Sequence, residues 1–193
     1  MNTFLRVAIA MVGMTGLAAA QPKTDPKAPA ADSKAGGMAD MKPPAELAAM
    51  AKAAGGTWNC KGQGMDRTQK MVDTTGTMKI KLDVANWWLH GSFESKMGKE
   101  PFQFESFTTF DPASKKWKRV MVESGGGWST GESDGMKDNK VDWNLTSHSM
   151  MGEVMFRDHE DMTDPKAGVK QWGEFSMDKG KTWTKVYELT CKK

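Results

Sequence analysis

The sequence predicts an all-β fold: an antiparallel up-and-down β-barrel of about ten strands with one short N-terminal helix. Three observations carry this. Beyond the helix, short runs of strand-forming residues are separated by turn residues at spacings of about ten positions. In the clearest run, residues 77–84, Met78, Ile80, Leu82 and Val84 lie on one side and Thr77, Lys79, Lys81 and Asp83 on the other. Such alternation means one buried and one wet face. The two cysteines, Cys60 and Cys191, fall in the first and last runs. A disulfide between them sets the first strand beside the last.

Taken in order, residues 1–20 read as a secretory signal. Arg6 precedes an apolar run over residues 7–17, and Ala18-Ala19-Ala20 supplies a small-residue cleavage site before Gln21. The run is too short and too rich in Gly and Ala for a transmembrane helix. The expectation is an exported protein, periplasmic if the source is a Gram-negative bacterium and secreted otherwise. Residues 21–43 are Pro, Ala, Lys, Asp and Gly with almost nothing to bury, and read as a disordered tether. The folded domain is expected over residues 44–193. Net charge is only +3 over the chain, and the signal carries one of the 27 basic residues and no acid. So small a charge gives no footprint for nucleic acid or a membrane surface.

The predicted helix covers residues 44–54. Pro44 suits its first turn, Glu46 its N-terminal charge, and Gly55-Gly56 its end. Leu47, Met50, Ala51 and Ala54 share a face. A helix this short is marginal alone, so that face must dock, most simply on one mouth of the barrel.

Strands are predicted to start near Thr57, Gly76, Trp87, Phe102, Lys116, Trp128, Lys140, Glu153, Lys170 and Thr182. Phe102, Phe104 and Phe110 share a face, as do Val141, Trp143 and Leu145, and Trp183, Tyr187, Leu189 and Cys191. Asp111-Pro112-Ala113-Ser114 has the residues of a type I turn. An even strand count lets the first and last strands pair antiparallel. A barrel of this size is wider than side chains fill easily. Its predicted inner wall, and the wall of any ligand cavity, is Met78, Ile80, Leu82, Val84, Phe102, Phe104, Trp143 and Tyr187.

The chemistry is sparse. His90, His148 and His159 sit in no metal-binding frame, and no nucleophile-elbow, phosphate-loop or dinucleotide motif occurs. No catalytic residue, enzyme activity or required cofactor is therefore expected. Arg157-Asp158-His159-Glu160-Asp161 reads as a solvated, charged strand end. Methionine is abundant, at 17 residues, and His148, Met150 and Met151 bring soft ligands close together. Such ligands suit Cu(I) in an exported protein; the alternative is methionine filling irregular core gaps. Three readings stay open: a carrier or sensor of a small apolar molecule, a filled structural or partner-binding barrel, and a copper-binding protein.

Two resemblances add to this. Residues 176–183, Ser-Met-Asp-Lys-Gly-Lys-Thr-Trp, resemble the Asp-box hairpin, a structural turn that sits away from catalytic sites. Gly56-Thr57-Trp58 is similar to the G-x-W that opens the first lipocalin strand. With Phe110-Asp111-Pro112, Lys116-Trp117, Trp128, Asp134-Gly135 and Arg157-Asp158, the domain resembles a bacterial family of lipocalin-like, calycin-type barrels with no agreed activity. The resemblance implies the barrel and a cavity within it.

Overall fold

The computed structural model describes residues 41–193 apart from Met151 and Pro165. The expected signal and the tether up to residue 40 lie outside the described residues. Helix α1 (Ala45–Ala54) begins on Pro44, whose carbonyl accepts the Leu47 amide at 3.1 Å. Its C-terminal carbonyls are taken up by the barrel's own side chains. Trp58 Nε1 donates to Ala54 O at 2.8 Å, and Lys193 Nζ to Ala53 O at 3.3 Å.

The strands are β1 (Gly56–Met65), β2 (Met71–Asp83), β3 (Trp88–Met97), β4 (Glu100–Asp111), β5 (Lys116–Glu123) and β6 (Trp128–Ser133), then β7 (Met136–Lys137), β8 (Lys140–Ser149), β9 (Gly152–Asp161), β10 (Val169–Ser176) and β11 (Thr184–Lys192). All pairs are antiparallel between chain neighbours, except that β6 also pairs with β8 and β11 with β1. Those two pairings close a ring of ten strands, with the two-residue β7 paired to β8 outside the ring. Closure leaves the ring without an open edge.

Cys60 and Cys191 are direct cross-strand partners between β1 and β11 and form the disulfide. Both are buried, in a cluster with Phe93 and Leu189. A second cluster holds α1 in place: Leu47, 1% exposed, packs with Leu89, Trp117, Val141, Trp143 and Leu145. The helix thus stoppers the end of the barrel where β1 begins, as its apolar face requires.

The sequence reading needs four corrections. Strand β2 begins at Met71, not near Gly76. It also ends at Asp83, because Val84, Ala85 and Asn86 take left-handed φ of 48°, 54° and 68°. Val84 is therefore a turn residue, 54% exposed, and not part of the inner wall. Thr182 and Trp183 belong to the last hairpin, before β11. Residues 157–161 do form the end of β9, but not a solvated one: Asp158 is buried.

The last hairpin is held by hydrogen bonds to Asp178. Asp178 Oδ1 accepts the Lys181 and Thr182 amides at 3.0 and 2.8 Å, and Oδ2 accepts Thr182 Oγ1 at 2.7 Å. Lys179 and Gly180 both have positive φ, 60° and 85°, which only glycine adopts freely. Trp183 closes the turn, donating from Nε1 to Gly180 O at 3.1 Å under the guanidinium of Arg157.

Candidate functional site

Cross-strand partners point to the same side of a sheet, so the register traces the barrel's inner face. Phe104 pairs with Glu123 and Thr108 with Arg119. Val141 pairs with Glu160 and Trp143 with Asp158. Asp158 pairs with Gly173, and Gly173 with Tyr187. Except for Gly173, all of these line a cavity of about 360 Å³. Met50 and Ala54 of α1 line its closed end, and Met65, Met97, Glu123, Gly127 and Trp128 line the opposite mouth. Its apolar wall includes Met78, Ile80, Phe93, Phe102, Phe104 and Phe156.

A polar centre crosses this interior. Arg119 Nη1 donates to Asp158 Oδ2 at 2.9 Å, Nη2 to Glu160 Oε1 at 3.3 Å, and Nε to Thr108 Oγ1 at 3.3 Å. The planar guanidinium also stacks on Trp143, 3.7 Å from the ring centroid. Tyr187 donates its hydroxyl proton to Asp158 Oδ1. Gly173 makes room for this: a Cβ there would lie 2.3 Å from Tyr187 Cε1. Burial pushes the Asp158 carboxyl above its ordinary range, and the charge of Arg119 pulls it back. Burial and the charge of Asp158 push the Tyr187 phenol well above its ordinary range.

Three hydroxyls on the cavity wall are acceptors toward the interior. Thr74, Ser95 and Ser106 each commit their hydroxyl proton to a backbone carbonyl, of Val72, Phe102 and Gly91, all at 3.2 Å. Their oxygens keep free lone pairs. Glu123 lies over Gly127, where an added Cβ would sit 2.3 Å from its carboxylate oxygen. It has no ion pair among the described residues, and burial raises its carboxyl. Trp143 Nε1 is the opposite case: a buried donor with no hydrogen-bond partner among the described residues.

Of the wall residues expected from sequence, Met78, Ile80, Phe102, Phe104, Trp143 and Tyr187 line the cavity. Leu82 instead packs into the cluster around Leu47, and Val84 lies outside. Sequence reasoning missed Arg119, Glu123, Asp158 and Glu160. The signal was present: counting in steps of two from Trp117 reaches Arg119 and Glu123, and from Phe156 reaches Asp158 and Glu160.

The three histidines face outward, each stacked on an aromatic ring: His90 on Phe107, His148 on Trp128 and His159 on Trp172. Each also meets a carboxylate, of Glu105, Glu153 and Asp142 respectively. Of the soft ligands weighed for copper, Met150 is 98% exposed beyond β8, and Met151 lies outside the described residues. No helix among the described residues is long and apolar enough to cross a membrane.

Comparison of the chain with protein-family models and with curated proteins finds no match.

Proposed function

We propose that this barrel is an exported binding protein that holds a small, largely apolar molecule in its interior. The observation that carries the reading is the cavity of about 360 Å³, stoppered by α1 at one end and open at the other. It has the character of a ligand site: mostly apolar walls with a few convergent polar groups. The polar centre holds rather than reacts in this reading, because Arg119, Asp158, Glu160 and Tyr187 are already paired with one another. The buried Cys60–Cys191 disulfide supports export, since such bonds persist in oxidising compartments.

The test is titration with an apolar fluorescent probe, on the parent protein and on Met78→Trp. Saturable uptake by the parent, lost in a variant of unchanged stability, is the expected result. A parent that takes up no probe, with Met78→Trp destabilised by about 1–3 kcal/mol from overpacking, would leave a filled structural barrel.

A further inference from the structure

We propose that the molecule held in the cavity carries a protonated amine on an apolar body, and that Glu123 at the mouth pairs with that amine. The proposal rests on the binding reading above and specifies its ligand.

Apart from the Tyr187 phenol, the ionisable side chains lining the cavity are Arg119, Glu123, Asp158 and Glu160, one basic group against three carboxyls. Arg119 is committed: its guanidinium donates to Asp158, Glu160 and Thr108 and covers Trp143 with its face. A ligand carboxylate would have to displace one of these partners and would meet surplus negative charge in a poorly solvated space. Glu123 is in the opposite position: it is exposed at the mouth, its carboxylate over Gly127, with no cation against it among the described residues. A carboxylate at the mouth without a partner gains from a cationic ligand.

Three hydroxyls favour the same ligand. The hydroxyl oxygens of Thr74, Ser95 and Ser106 offer lone pairs, because their protons are spent on backbone carbonyls. Beside Glu123, the ring of its cross-strand partner Phe104 lines the cavity, and aromatic faces attract ammonium groups.

The experiment compares decylamine, decanol and decanoate, each below its aggregation concentration at neutral pH, as competitors for a bound apolar probe. Decylamine should bind about tenfold tighter than decanol, the scale of one charge-assisted hydrogen bond, and decanoate weakest. Glu123→Gln should abolish the amine's advantage and leave decanol unchanged, and Glu123→Lys should turn the preference toward decanoate. Equal binding of amine and alcohol, or tightest binding of decanoate to the parent, would overturn the ligand class while the binding reading stood. Loss of all three ligands in Glu123→Gln would show that the residue shapes the mouth, overturning the pairing. Failure of the parent to bind any of them would remove both proposals.

Discussion

Arg119 and Asp158 meet inside the barrel at 2.9 Å although their strands are not neighbours: β6 and β8 lie between β5 and β9. Their pair spans the curvature of the ring and, with Glu160 at 3.3 Å, is among the least exposed ion pairs in the domain. Removing Arg119 would leave two carboxylates in the interior without a counter-charge. Arg119→Met should therefore destabilise the protein by about 3–5 kcal/mol in urea unfolding. Adding Asp158→Asn should cost less than the two single effects summed, because the partners act as one unit. Strict additivity would mean that the pair carries no coupling.

The stopper gives a second prediction. Leu47 is the one buried residue of α1 and fills the barrel's end against Leu89, Trp117 and Val141. Leu47→Ala should destabilise by about 2–5 kcal/mol through lost burial and the space left behind. A far smaller loss would mean that the helix contributes little to closing the cavity.

The disulfide gives a third. Cys60 and Cys191 are separated by 131 positions, and a loop of that length corresponds to about 5 kcal/mol of chain entropy removed from the unfolded state. Thiol labelling of unreduced, denatured protein should find no free cysteine, and reduction should lower the urea midpoint. Two labelled thiols would remove the bond.

How much of this was legible in the sequence follows from the range over which each feature is determined. Alternation is local, so the inner face of Met78, Ile80, Phe102, Phe104, Trp143 and Tyr187 could be read directly. The end of β2 could not: Val84 continues the apolar pattern, while Asp83 Oδ1 takes its amide at 2.8 Å and starts a turn. Three consecutive left-handed residues without a glycine leave Asn86 as the only local hint. The polar centre was hidden for another reason. Asp158 and Glu160 sit in a charged run that resembles a solvated surface, and the cation that makes their burial tolerable lies 39 positions away in the chain for Asp158. Strand parity alone would have placed them inside.

The last prediction concerns pH and the hairpin that joins β10 to β11. Four hydrogen bonds converge on the Asp178 carboxylate: from the Lys181 and Thr182 amides, from Thr182 Oγ1, and from Ser176 Oγ at 2.8 Å. The backbone bond from Thr182 contributes most, and together they lower the carboxyl from 3.8 to about 2. Between those values the folded protein binds fewer protons at this site than the unfolded chain does. Stability therefore rises with pH across that window. The contribution of ionised Asp178 is complete above 3.8 and is lost as pH falls through about 2. Asp178→Asn keeps an acceptor for the amides but removes the charge and the acceptor that Thr182 Oγ1 uses. The difference in urea midpoint between the parent and Asp178→Asn should accordingly stay constant at neutral and mildly acidic pH and shrink as the solution is acidified through that window. A difference that persists undiminished at the acid end would mean that the hairpin is held by its backbone turn and Trp183, with no part played by the charge of Asp178.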